Sequence, residues 1–322
     1  MTDNRQELIN LVPIDGREGH YFCVPGDAWG QGFATYGGYV AASCFKAAKQ
    51  CGHNRSLLSA QVNYLAPSPT SGYRIEVESL RVGKGTSIVE VRTWAPNRKA
   101  PDAPEILAAK ILFTYGEPRA SAIQVSSQID QATIQRLNTT RQQRAAFPVL
   151  KGIIPTFLEQ FHFISVEGAV PYSNSNALGH AFAVARKQDW RVTDPTEFLV
   201  LMSDINPPPQ LQLLAMPASA STMTWMLDVA APLPDTYNDS AWMHVILQLE
   251  RTANGYGAHS GVLTDENGKV LSSTRQVTAV FETDVDSTSP KSILNRFAFG
   301  IGFSLFRTFI GLRQLLHKGR KQ

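Results

Sequence analysis

The sequence predicts an α+β fold built twice, as two tandem copies of a curved antiparallel sheet wrapped around one helix. Three observations predict it. A helix of mostly small residues at 39–51 is followed by a run of long β-rich segments with turn signals between them. A second helix, at 195–204, is followed by a run of similar order and lengths, offset by about 165–170 residues. The chain has 322 residues, 43 % hydrophobic and 18 % charged, so it can bury a core of that size.

The elements follow in order. Residues 1–27 form an irregular lead with a strand-like piece at 20–24. Gly30, Gly32, Gly37 and Gly38 make the next stretch a glycine-rich loop. The helix at 39–51 then carries Val40, Cys44, Ala47, Ala48 and Cys51 on one stripe. The Gly37-Gly38 pair at its start leaves backbone N–H groups bare at the positive end of the dipole. That suits an oxyanion or a carbonyl oxygen near Gly38 and Tyr39; the alternative is a loop that merely needs positive φ. Strands are expected at 59–65, 73–82, 87–95 and 106–115, with turns at Pro67-Ser68-Pro69, Gly83-Lys84-Gly85 and 96–104.

Residues 120–146 are rich in Ser, Gln, Thr and Arg and read as a solvent-facing connector, with some helix near 130–144. The second unit then repeats the first. It runs through strands at 157–166 and 181–191, the helix at 195–204, a loop holding Pro207, Pro208 and Pro209, and strands at 218–229, 242–251, 258–264 and 270–282. Asp265-Glu266-Asn267-Gly268 is a hairpin turn with glycine at the position that needs positive φ. The expected divisions are 1–116 for the N-terminal domain, 117–156 for the connector, 157–284 for the C-terminal domain and 285–322 for a basic tail.

The second helix carries the sharpest candidate. Asp194 can N-cap it, Pro195 suits the first helical position, and Glu197 completes an Asp-x-x-Glu capping box. Phe198, Leu201 and Met202 share one face. Asp204 then ends a mostly apolar run, at the end of the helix where the dipole favours cations over anions. A carboxylate there is a candidate functional group; the alternative is an Asp turned to solvent or bound to a loop amide.

Other chemistries fail on residues. Cys23, Cys44 and Cys51 are too few for a disulfide framework, and a reducing compartment is the default. The N-terminus has no signal-peptide pattern, and no uncharged apolar run reaches the length of a membrane span. The net charge of +3 is uneven. Residues 291–322 hold seven Lys/Arg and no acid, so the remainder has 23 basic against 27 acidic residues, a net of −4. The body is therefore not a nucleic-acid binder by charge. The seven histidines share no metal spacing, and His259 at a turn reads as a surface residue. Gly257-Ala258-His259-Ser260-Gly261 has His where a nucleophile elbow needs Ser, and no P-loop or dinucleotide fingerprint occurs.

From Trp29 to Phe281 the chain resembles the acyl-CoA thioesterase II family, whose chain carries two fused hotdog domains. The first half contributes Gly37-Gly38 at the helix start, Gln61 to Tyr64 followed by Pro67 and Pro69, and the Leu80-Arg81-x-Gly83-Lys84-Gly85 turn. The second contributes Ser203-Asp204, the Ser/Thr strand at 218–227, Trp242, the Asp265 to Gly268 hairpin and Ser273 to Gln276. The resemblance implies hydrolysis of acyl-CoA thioesters by water held between an Asp, a Thr and a Gln. Asp204 matches the Asp and Gln276 the Gln. The Thr falls on Thr222; aligning the strand on Trp225 instead would put Ser219 there, and Ser221 is a near neighbour. The chain departs from the family in having Val277-Thr278 after Gln276 and a long loop at 230–241.

In this reading Asp204 is a general base, Gln276 orients water and touches the carbonyl oxygen, and Thr222 adds a hydroxyl. No metal or redox cofactor is expected. A cytoplasmic homo-oligomer active in fatty acyl-CoA metabolism is expected. Two other classes remain. One is a non-catalytic acyl-thioester binder on the same fold. The other is a hydratase, which would want a His beside the helix Asp, and none lies within 195–204. The tail at 290–322 reads as an amphipathic helix after Ser289-Pro290, with Leu294, Ile301, Leu305, Phe309 and Leu316 opposite Arg296, Arg307 and Lys318. That pattern fits peripheral contact with an anionic membrane; the alternative is packing on protein.

Overall fold

The computed structural model describes residues 5–123, 125–146, 154–233 and 237–282. The predicted tail at 285–322 lies outside the described residues. In chain order the elements are β1 (Leu11–Pro13), β2 (His20–Cys23), β3 (Gly30–Gln31), β4 (Ala34–Thr35), α1 (Gly37–Gln50), β5 (Ser56–Tyr64), β6 (Tyr73–Val82), β7 (Thr86–Ala95) and β8 (Ile106–Gly116). Then come α2 (Gln131–Gln143), β9 (Phe161–Gly168), β10 (Gly179–Arg186), α3 (Pro195–Met202), β11 (Ser219–Val229), β12 (Met243–Ala253), β13 (Tyr256–Asp265) and β14 (Val270–Phe281).

The two halves form one continuous antiparallel sheet in the order β1-β2-β6-β7-β8-β5-β11-β14-β13-β12-β10-β9. Its two sides mirror each other about the β5–β11 junction, where Gln61 faces Met226. Each side of the junction has the same neighbours in the same order, so the duplication is visible in topology. It is also visible in irregularities. The β5–β8 ladder slips after Leu57, and the β11–β14 ladder slips after Thr222. Leu57 pairs with Tyr115 just as Thr222 pairs with Thr278. The β6–β7 and β12–β13 ladders slip at corresponding places, between Ser79 and Arg81 and between Leu249 and Arg251. A bulge is a specific local bend, so two that recur in matched pairs are a signature of repetition.

Helix α1 is buried almost all round, from Gly38 to Ala48. Its alanines and Cys44 let the strands approach closely on several sides, while Phe45 fills the space against Phe113 and Tyr115. Helix α3 lies against α1 in the opposite direction: its C-terminal end meets Gly38 and its N-terminal turn meets Lys46. The connector is less solvent-facing than its polar composition predicts. Helix α2 buries Ile134 and Leu137 against Ile164, Val166, Ala181 and Ala183 on the outer face of the second half of the sheet.

Helix ends differ slightly from expectation. α1 starts two residues earlier, at Gly37, and α3 stops at Met202, leaving Asp204 just beyond the last turn. Asp194 does cap α3, accepting from the Thr196 N–H at 2.9 Å. Glu197 does not close a capping box. It is buried with neither carboxylate oxygen hydrogen-bonded, and it faces Lys46 Nζ at 4.0 Å. No helix among the described residues is long and apolar enough to cross a membrane.

Candidate active site

Asp204 sits where two helix ends meet. It follows the C-terminus of α3, but its carboxylate is turned to the N-terminus of α1, where the Gly38 backbone favours its charged form. The unfavourable dipole of its own helix is thus answered by the favourable dipole of the other. Two glycines make the approach close enough. A Cβ on Gly37 would fall 2.8 Å from Asp204 Oδ2, and one on Gly38 would fall 2.5 Å from the Leu201 carbonyl oxygen. Neither residue has positive φ, so the pair is required by contact rather than by backbone conformation.

Two tyrosines fix the junction. Tyr64 Oη donates to the Gly37 carbonyl at 2.8 Å, and Tyr36 Oη donates to the Leu201 carbonyl at 2.6 Å. Tyr36 is itself stacked flat on Phe157, with ring centroids 4.0 Å apart. Sequence reasoning missed both as site residues. A lone Tyr before a glycine pair carries no motif, and only the fold brings its hydroxyl to the other helix.

Gln276 and Thr222 complete the cluster. Gln276 Nε2 donates to Asp204 Oδ1 at 2.7 Å, and Gln276 Oε1 accepts from Thr222 Oγ1 at 3.0 Å. The hydroxyl and the carboxylate therefore fix the orientation of the Gln amide from both sides. The strand slip between Thr222 and Thr224 matters here. Without it, Thr222 and Trp225 would point to opposite faces of β11. With it, Thr222 reaches Gln276 while Trp225 is buried and donates to Thr274 at 2.7 Å.

Burial pushes the Asp204 carboxyl up to about 7, against the hydrogen bonds from Gln276 and Gly38, which favour its charged form. An Asp titrating there can accept a proton from water near neutral pH. The nearby hydroxyls of Tyr36 and Tyr64 are held well above their usual range, by burial and by the Asp204 charge, and so stay protonated.

The remaining candidates fall elsewhere. Ser219 and Ser221 are exposed on β11 and pair with Phe281 and Ala279. The Tyr39 N–H donates to the Tyr36 carbonyl at 3.1 Å and so is not a free oxyanion donor, while the Gly38 backbone faces the Asp204 carboxylate. The Tyr39 ring packs on Trp29, with centroids 4.6 Å apart. His259 is buried rather than on the surface, and it is the cross-strand partner of Gln276. Among the described residues no group of His, Cys, Asp and Glu could hold a metal.

The fold's internal symmetry would generate a second such cluster, and its place is filled differently. The ladder positions of Thr222 and Gln276 correspond to Leu57 and Phe113 in the first half. Where Asp204 reaches the start of α1, Lys46 reaches the start of α3. Lys46 is buried and donates to the Ile9 carbonyl at 2.5 Å and to Glu7 at 3.4 Å. The Asp, Gln and Thr set is present in one half alone.

Comparison with known proteins agrees with the fold and extends it. No curated protein matches the sequence. Among solved structures, a hot dog fold protein of unknown function from Alicyclobacillus acidocaldarius matches with a TM-score of 0.68 at 16% identity, over 85% of this chain and 96% of its own. An acyl-CoA thioesterase II from Mycobacterium marinum matches with a TM-score of 0.61 at 13% identity, over 87% of this chain and 98% of its own. At such identity these show the hotdog fold alone. The family models go further: the acyl-CoA thioesterase N-terminal domain matches residues 25–114, and the C-terminal domain matches residues 135–280. The chain is a double-hotdog protein that belongs to the acyl-CoA thioesterase family.

Proposed function

We propose that this protein hydrolyses acyl-CoA thioesters to the free acid and CoA, with Asp204, Thr222 and Gln276 as its catalytic residues. The observation that carries this reading is the continuous hydrogen-bonded set Thr222–Gln276–Asp204, ending on a carboxyl that burial pushes up to about 7. Asp204 takes a proton from water as that water attacks the thioester carbonyl carbon. The C–S bond of the tetrahedral intermediate then breaks, and the thiolate leaves without needing a strong acid. Gln276 has a second amide hydrogen beyond the one given to Asp204, and this can meet the carbonyl oxygen as negative charge develops. Thr222 holds the Gln amide in that orientation. The basic tail at 290–322 would add attachment to anionic lipid surfaces, where long acyl-CoA partitions.

Thiol release over a series of acyl-CoA chain lengths tests the activity. Binding of acyl-CoA without thiol release would instead make the protein an acyl-thioester carrier.

A further inference from the structure

We infer that a polar cavity at the far end of the first half is a second binding site, for a phosphate-bearing ligand of nucleotide size. It is separate from the catalytic cluster and does not depend on the thioesterase reading.

The cavity lies over the strand ends beyond the C-terminus of α1. It measures about 530 Å³, and its walls are the loop at 52–55, Ser56 at the start of β5, Val82 and Ser87 across the β6–β7 hairpin, and the residues after β8. That volume is within the range of small-molecule sites. Gly37, which meets Asp204, is at the opposite end of α1, and the 14 residues of the helix put about 20 Å between the two places.

The repeat explains why the first half is open there. Ladder partners match Ser87 with Gly257 and Val82 with Thr252. In the second half Gln210 fills this place. A Cβ on Gly257 would fall 2.6 Å from its Nε2, and the whole Pro209–Gln212 turn is buried. That turn belongs to the long link between α3 and β11, residues 203–218. The matching link between α1 and β5 is residues 51–55 alone and supplies no such plug. One half closes the place with its own chain, and the other leaves room for a ligand.

The polar groups of the cavity are incompletely used. Ser87 is 2% exposed, yet no hydrogen bond holds its hydroxyl among the described residues. Arg55 gives Nε to Glu117 and Nη2 to the Lys84 carbonyl, each at 2.9 Å, which leaves Nη1 for a ligand. Lys84, at the hairpin turn, and Arg119, next to Pro118 of the wall, have no ion pair among the described residues. Three cations thus stand against one carboxylate. The Glu117 side chain is itself 54% exposed and tied by a single bond, so a bound anion can take its place on Arg55. A guanidinium with an unused N–H, a serine hydroxyl and a lysine at a glycine turn are phosphate-binding groups. The wall also sets the size of the ligand. Val82, 67% exposed, and Pro118 form an apolar flank. Inorganic phosphate has no use for that flank, whereas the base of a nucleotide has.

Calorimetry of the full chain with ADP and with inorganic pyrophosphate tests the site. ADP carries both the phosphates and the base, and it should bind about tenfold more tightly than pyrophosphate. Arg55→Gln should weaken ADP by about tenfold or more. The double variant Lys84→Ala with Arg119→Ala, on the surface, keeps the test decisive if Arg55→Gln does not fold. It should weaken ADP by a similar factor and flatten the dependence of binding on salt. A melting temperature checks each protein. Neither variant should change KM for a short acyl-CoA. Absence of ADP binding by the wild-type chain overturns the site, and so does unchanged ADP affinity in the folded variants. Pyrophosphate binding as tightly as ADP overturns the nucleotide class. A raised KM in the double variant would assign these cations to the path of the substrate's carrier and overturn a separate site. ADP binding that responds to the variants, in a chain without thioester turnover, keeps the site and removes the thioesterase reading.

Discussion

Asp204 was legible as an oddity before it was legible as a site: an acid at the wrong end of an apolar helix. The structure gives the reason, since the charge belongs to the start of α1, across the junction of the two halves. Its raised carboxyl has a signed consequence. A group whose folded pKa lies above its unfolded value favours the fold at low pH, and that contribution is lost as pH rises through the folded pKa, here from about 4 to about 7. Asp204→Asn should therefore melt at a higher temperature than wild type at pH 8, with the gap narrower at pH 5 and closed only below about pH 4, as calorimetry across that range would show. Turnover should follow the opposite limb, rising with pH to a plateau above about 7 as the base deprotonates. Gln276→Ala should lower kcat by roughly 10²-fold, because Asp204 and Thr222 both lose their link. A change in KM alone would make Gln276 a binding residue. Tyr36 and Tyr64 had no signal in the sequence, because their roles depend on contacts with the ends of two helices remote in sequence.

At the scale of elements, period and turn signals located the long strands within a few residues, since alternation and glycine or proline turns are local properties; the short β1, β3 and β4 were not expected, and β10 ends at Arg186, five residues before the expected end. Two features were not local. The slip in β11 at Met223 leaves no mark in the residue pattern, yet it decides that Thr222 rather than Ser221 faces Gln276. The role of Gly37 and Gly38 was half legible: their place at a helix start could be read, but not that a second helix presses against them. Gly38→Ala would drive a methyl into the Leu201 carbonyl and the Tyr36 hydroxyl. Chemical denaturation should register a loss of about 1–3 kcal/mol, and turnover should fall because the clash pushes the start of α1 away from Asp204. Gly52→Ala, at positive φ but with open space around it, provides the contrast: it should cost stability through the backbone and leave turnover intact.

For the whole molecule, the repeat of helix and strands gave the duplication, but not the fusion of both halves into one sheet through β5 and β11. Nor could composition show that one half keeps the polar set while the other fills the equivalent places with Leu57, Phe113 and Lys46. On the proposed function each chain has one reactive centre. The tail adds a separate expectation from its sequence: deletion of 290–322 should abolish co-sedimentation with anionic vesicles and leave turnover of a short, soluble acyl-CoA unchanged. If the full-length chain ignores such vesicles, the tail has another role. The central claim is tested most directly by thiol release from acyl-CoA, comparing wild type with Asp204→Asn at pH 8. Wild type should release CoA thiol with multiple turnovers, and the folded variant should be slower by roughly 10²–10⁴. A folded Asp204→Asn protein with near-normal turnover would contradict the account.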